Sequence, residues 1–447
     1  MESSTPGWPY PVNYGRENEV TTDILIIGGG IAGCHAAISA AKRGAKVVII
    51  DKGPVIRSGH GGAGVDHWHG ACTNPCSQIT PDELIDTYQG CRSGLATGEY
   101  GSGAATYILF RESYDALLDM ERMGMKIRDV DDEFAGAEFR DEDTKLLFAY
   151  DYENKFVLRV QGATVKPALY KECKRLGVEI CDRIMVTGLL TEKGKPGARV
   201  IGATGLNVRT GEFYIFSSKA TIISTGPTSG LWVFSTELKG LAAVSGEPNC
   251  AGDGNAIAWK AGAEFTLMDA SMPSSGGFSY PQYGTGNAHN TWFACSIVDD
   301  RGREIPWVDR DGNRLNTVSE RYRPAPGQRV FYHGPPPFTY ELQGPRLIPD
   351  LAERIKKGEY VLPFYADLPG MPAHERNAIF RLMAAHEGKT RIPIYEYYTR
   401  AGFDPDRDML QANVLPPDAA GQYGPWWLGM GPPQWRQMAF GGGGGVV

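Results

Sequence analysis

Thr22–Asp51 reads TDILIIGGGIAGCHAAISAAKRGAKVVIID, and the order of residue types in it decides the fold. Ile24 to Ile27 is an unbroken apolar run of the kind found in a strand buried on both faces. Gly28, Gly30 and Gly33 follow at GxGxxG spacing. They supply a tight turn, bare backbone beside a pyrophosphate, and a close helix-to-strand contact. The spacing predicts a helix from Ile31 to about Arg43, with Gly44 at its C-terminal cap. The free N–H groups at its start, around Ile31 and Ala32, and its positive dipole end would face phosphate. A second buried strand, Val47 to Ile50, ends in Asp51, whose carboxylate would accept ribose hydroxyl bonds and repel a 2′-phosphate. The stretch therefore predicts a βαβ unit holding FAD or NAD rather than NADP.

Working outward, residues 52–76 read KGPVIRSGHGGAGVDHWHGACTNPC. Lys52 follows the ribose acid directly. Arg57 and Ser58 can contact phosphate or ring carbonyl oxygens, and Gly59, Gly61, Gly62 and Gly64 leave room for a large flat group. His60, His67 and His69 fall in this run but have no third ligand at metal spacing, so a polar turn or a place beside the cofactor fits them better. Helical periodicity extends from Asp82 to about Met125, with Gly124 as a stop, and again from Ala163 to Leu176 before Gly177. Residues 178–192 read as a strand containing Val186. The runs 198–211 and 212–226 read as a β-meander around a turn at 209–211. The last of these strands, Ala220 to Ser224, runs into Thr225 and Gly226, where an open parallel sheet meets its ligand. GDGNAIAWKAGAE (252–264) opens another turn-to-helix, with Asp253 and Gly254 as its cap.

Residues 1–20 show no periodicity and read as an extended arm on the surface or on a partner. Residues 21–265 form the dinucleotide domain. Beyond 265 the composition turns to Ser, Gly, Pro, Tyr and Asn. This predicts a second domain over 266–432, with a turn at 309–314 and helices near 348–357 and 373–387, and a return to the first domain over 433–447. A chain of 447 residues has room for two or three such units. The net charge of −7 argues against nucleic acid as a partner. No apolar run approaches the ~20 residues of a membrane span, and the N-terminus lacks the pattern of a signal peptide. The expectation is thus a cytoplasmic protein. Eight cysteines are scattered without four-ligand spacing, so no iron–sulfur centre is expected in this chain.

Taken in order, GGGIAG, a downstream acid, RSG with glycines, ATIISTG and GDGNAIAWKAGA resemble the flavoprotein subunit superfamily of fumarate reductase and succinate dehydrogenase. Residues 164–226 are most similar to its adenylylsulfate reductase alpha-subunit branch. The resemblance implies an α/β fold: a glutathione-reductase-type FAD domain with a parallel sheet and an inserted α+β capping domain. The implied cofactor is FAD, held by Gly28, Gly30, Ile31, Ala32, Gly33, Asp51, Lys52, Arg57, Ser58, Gly59, Gly61, Gly62, Val186, Thr225, Gly226 and Asp253. In succinate dehydrogenases a histidine in the run after the acid bonds the flavin covalently. Here Arg57-Ser58-Gly59 stands in that slot with His60 one place later, so a non-covalent flavin is expected.

The substrate motifs of the superfamily fit less well. LMDASMPSSGG (267–277) and WRQMAFGGGGG (435–445) lack the histidines that relatives carry there. The segment Glu341 to Arg346 resembles the one bearing the dicarboxylate-reducing arginine, which implies that Arg346 binds an anionic substrate; a surface ion pair at the head of a helix is the other reading of it. Two readings stay open. One is an oxidoreductase subunit passing electrons between a small anion, fumarate/succinate-like or a sulfur oxyanion, and an iron–sulfur partner, with membrane association only through that partner. The other is a FAD-holding relay or assembly subunit without its own substrate site. Family members continue beyond the point where this sequence ends, so the resemblance also leads us to expect a truncated or divergent short form with one side of the FAD site incomplete.

Overall fold

The computed structural model describes residues 9–62, 64–65, 67–89, 102–149, 151–226, 249–265, 271–274, 295–309, 311–324, 326–327, 329–330, 346–378, 399–411 and 437–440. The predicted unit is present: β1 (Glu17–Ile27), α1 (Ile31–Lys42) and β2 (Val47–Asp51). After β2 come β3 (His67–Trp68), α2 (Pro81–Gln89), α3 (Gly103–Arg122), β4 (Leu147–Phe148), β5 (Leu158–Arg159) and α4 (Val165–Arg175). The helical pattern over 82–125 is carried by two helices, and residues 90–101 between them lie outside the described residues. Then follow β6 (Glu179–Asp182), β7 (Ile184–Thr191), β8 (Val200–Asn207), β9 (Phe213–Ile223) and α5 (Asp253–Lys260).

Six strands form one sheet in the order β6-β2-β1-β9-β8-β7. β6, β2, β1 and β9 run parallel, while β8 and β7 are antiparallel to their neighbours. The sheet is therefore mixed at one edge. Residues alternate strictly across it. Ile26, Val47 and Ile49 enter the large core on the α1 and α4 side, whereas Leu25, Ile27, Val48 and Ile50 meet Ile257 of α5 on the other. Burial on both faces is why these strands read as continuous apolar runs. Each such side chain contributes about 1.5–3 kcal/mol.

Two expectations are corrected here. The arm ends earlier than residue 20, because Glu17 to Val20 extend β1 and pair with Phe213 to Phe216 of β9. Asn13 N–H also bonds Thr210 O at 2.8 Å, and Arg209 stacks on Tyr10 at 4.4 Å, so the described end of the arm lies on the β8–β9 turn. That turn is set by Asn207 Oδ1, which accepts from the N–H groups of Arg209 and Thr210 at 2.9 and 3.2 Å. The run 178–192 is two strands rather than one. Arg183 adopts φ +65°, and the left-handed kink redirects the chain from parallel pairing with β2 to antiparallel pairing with β8.

Beyond residue 295 the architecture changes to very short strands. Residues 297–298, 304–305, 365–366 and 410–411 form one small sheet, and 307–308, 314–315 and 346–347 another. The turn at 309–314 forms as expected, with Asp309 Oδ1 accepting from the N–H groups of Asp311 and Asn313 at 2.8 Å. Of the two expected helices, one spans Leu351–Lys356. The other is described over Ala373–Asn377, and residues 379–387 lie outside the described residues. Residues 271–274 pair antiparallel with 437–440. Among the described residues no helix is long and apolar enough to cross a membrane.

Candidate functional site

A cavity of about 620 Å3 opens at the C-terminal ends of β1, β2 and β9, beside the start of β7 and the N-terminus of α5. Strand order changes direction at this place, because β2 leaves β1 on one side and β9 joins it on the other. Gly28, Gly30, Ile31, Ala32, Asp51, Lys52, Arg57, Ser58, Gly59, Gly61, Val186, Thr225, Gly226 and Asp253 all line it. Gly33 and Gly62 are absent from the lining and act by packing. A Cβ on Gly33 would lie 1.9 Å from Gly28 O, and one on Gly62 would lie 1.8 Å from Arg57 O. Gly28, at φ +99°, would drive a Cβ into Ser224 O at 2.5 Å. Gly30 is different. The nearest atom to its Cβ position is Gly59 Cα at 4.0 Å, so its open side is the cavity.

The polar groups divide their work in ways the sequence did not predict. Asp51 accepts from Gly29 N–H and from Gly53 N–H, each at 2.7 Å, so it braces the turn and has only its remaining lone pairs for a ribose. Arg57, expected on phosphate or ring oxygens, lines the cavity and also donates to Ala163 O at 2.9 Å, which ties the glycine run to the start of α4. Ser58 is buried and donates to Gly29 O at 3.1 Å. Asp253 makes no side-chain cap. Gly252, at φ +83°, is the N-cap of α5, and Asp253 forms an ion pair with Lys52 across the cavity wall. Thr225 packs against Gly254, whose Cβ would stand 1.9 Å from Thr225 Oγ1.

Beneath the turn lies a cluster that sequence reading missed. Lys166 of α4 is fully buried; its Nζ donates to Gly29 O and stands 3.2 Å from Cys34 Sγ of α1. A hydrogen bond with Cys173 pulls the Cys34 thiol down to about 7 against the effect of burial, and the Lys166 charge adds to the pull. Cys173 is held above the usual thiol range by the same bond and by burial. One signal was available: Lys166 sits among Val165, Ala168 and Leu169 on the buried face of α4. Arg183, Ser224, Asn249 and Cys250 also line the cavity and were not anticipated.

The remaining site residue, Arg346, opens the strand 346–347 and pairs with Val308. Its side chain lies outside the described residues. No group of three or more metal-ligating side chains occurs among the described residues; the side chains of His60 and His67 lie outside them.

The residues present fit a dinucleotide. Bare backbone at Gly30, the first N–H groups of α1, which lack intrahelical partners, and the Lys52 ammonium surround one elongated cleft. Comparison with known proteins agrees. The profile of the FAD binding domain family matches residues 23–274. The first-lettered subunit of the fumarate reductase (CoM/CoB) of Methanothermobacter marburgensis is 30% identical over 271 residues, covering 58% of this chain and 43% of that protein. The chain thus spans less than half of that curated relative. Among solved structures, adenylylsulfate reductase from Archaeoglobus fulgidus superposes with a TM-score of 0.59 at 21% identity, covering 90% of this chain and 59% of the other. The E. coli quinol fumarate reductase FrdA gives 0.51 at 17%, covering 88% and 60%. These two likenesses show the fold alone. With more than half of the chain matched by the family profile and the glycine turn, ribose acid and second glycine run gathered on one cleft, the chain belongs to the FAD binding domain family.

Proposed function

We propose that the chain is the FAD-holding part of an oxidoreductase flavoprotein that acts on a small anion, fumarate/succinate-like or a sulfur oxyanion, and exchanges electrons with an iron–sulfur partner. The observation that carries this reading is the 30% identity to the fumarate reductase of Methanothermobacter marburgensis, whose name states that activity. Bound FAD supplies hydride or electron-pair transfer. The chain's own part is to bind and orient. Gly30 and the first turn of α1 offer N–H groups to the diphosphate. Asp51 keeps the turn closed while offering its free lone pairs to a ribose, and Lys52 with Asp253 borders the opening of the cleft. Residues 21–265 serve as the cofactor domain and 266–432 as the capping domain, with 433–447 returning to the first. Arg346 is assigned the electrostatic hold on the anion, because a guanidinium stays charged and pairs two oxygens at once. The flavin is held without a covalent bond, since Arg57-Ser58-Gly59 fills the slot where a histidine would form one. We place the protein in the cytoplasm, reaching a membrane only through its partner.

The purified full chain should show a flavin spectrum and release its flavin on acid precipitation; the flavin should be reoxidised by fumarate once reduced, or, while oxidised, be bleached by addition of sulfite at its N5. A colourless protein that takes up no FAD overturns the reading. The absence of histidine from 267–277 and 435–445 favours a second reading, in which the chain holds FAD for electron relay or assembly and has no substrate site of its own. Indifference of the loaded flavin to both anions would select it.

A further inference from the structure

Gly29 is held through both of the peptide units it joins. Its N–H donates to Asp51 Oδ2 at 2.7 Å, while its carbonyl accepts from Lys166 Nζ and from Ser58 Oγ, the latter at 3.1 Å. In a trans peptide unit the carbonyl of one residue and the N–H of the next point in opposite directions. With the Gly29 carbonyl turned inward onto Lys166, the Gly30 N–H is turned outward, toward the cavity that Gly30 lines. A neutral donor would satisfy that carbonyl. A fully buried lysine is a costly way to do so, because a charge removed from water must be compensated. What a lysine adds is a positive charge in a low-dielectric site and a polarised peptide, whose N–H is thereby a stronger donor.

We infer that Lys166 is a positioning residue for a diphosphate: it holds the Gly29–Gly30 peptide so that the Gly30 N–H faces the ligand, and it places a desolvated positive charge one peptide unit behind that contact. This rests on the dinucleotide reading of the cavity. Lys166 lies 137 residues from Gly29 and reaches it only because α4 packs against α1. The ligand feature it recognises is the charge of the diphosphate, and the base and sugar are indifferent to it.

The test compares ADP with adenosine on the full chain freed of flavin, with FAD measured alongside by fluorescence quenching. In K166M the affinities for FAD and ADP should fall about 10-fold. Adenosine should stay within about two-fold, and the melting temperature of the nucleotide-free protein should not fall, because an apolar side chain of similar length replaces a buried charge. K166Q, which keeps a donor but loses the charge, should lie between wild type and K166M for ADP and match both for adenosine. Equal losses for ADP and adenosine, or no loss for either, overturn the inference. Failure of both variants to accumulate as folded protein overturns it too, since Lys166 would then serve the fold rather than the diphosphate. A wild-type protein that binds neither ADP nor FAD overturns the dinucleotide reading itself, whereas ADP binding unaffected by K166M overturns only the role of Lys166.

Discussion

The sheet region of residues 17–226 and the short-strand region beyond 295 are stabilised in different ways. In the first, strands run to 11 residues, β2 and the C-terminal end of β1 are buried on both faces, and the turns between them use glycine where a side chain would strike backbone. In the second, the strands of the two small sheets span two residues each, and order comes from individual side chains. Trp307 is fully buried and donates its Nε1 proton to Cys295 O at 2.8 Å. Arg321 is buried over the Trp307 ring at 5.3 Å, and Asp299 accepts from the backbone N–H groups of Arg301, Arg303 and Val361. A backbone-built site tolerates variation in most side chains and almost none in its glycines. A side-chain-built region behaves in the opposite way and titrates.

The largest expected effect breaks the sheet region at one atom. Gly33→Ala would put a Cβ 1.9 Å from Gly28 O, against backbone that cannot move without opening the turn. A loss of more than about 3 kcal/mol is expected, with purified protein lacking flavin. Normal flavin content and an unchanged melting temperature would show that the turn is looser than its geometry. Next comes Glu375, which is buried beside the Tyr152 hydroxyl, 3.5 Å from its Oε1. Burial raises its carboxyl from 4.5 to about 7, with the Arg159 charge pulling the other way. Because the folded value is the higher one, its contribution is complete below pH 4.5 and is lost as pH rises through 7. Stability should therefore fall by up to about 3 kcal/mol across that interval and level off above it. Glu375→Gln should flatten that part of the profile, as followed by denaturant midpoints, and an unchanged slope would remove Glu375 as its source. The smallest effect is Lys52→Ala. Its ion pair with Asp253 is partly exposed, so stability should change by less than about 1 kcal/mol. Any larger consequence should appear in nucleotide affinity rather than in the unfolding curve.

Legibility followed the same division. β1, α1 and β2 were readable to within a residue or two at the edges of the turn, because an apolar run, three glycines and an acid act on immediate neighbours. The lining of the cleft was largely readable too, since its parts lie at strand ends that a parallel sheet must bring together. Assigning roles to its side chains was harder. Arg57 and Ser58 have the chemistry for phosphate, and each also bonds a protein carbonyl, of Ala163 and of Gly29, that no local pattern announces. The break at Arg183 was invisible because both halves of the run have strand composition, and what separates them is the choice of pairing partner.

By itself the sequence determined the glycine turn, the helix that follows it and the acid that closes it, because steric allowance and hydrophobic period operate within a few residues. The tertiary structure decided what stands behind that turn. Lys166 with Gly29, Cys34 with Cys173 and Lys52 with Asp253 are joined across 137, 139 and 201 residues. Such pairs exist only once helices and strands have packed, since burial and distance are properties of the packed chain and no local pattern of residue types encodes them.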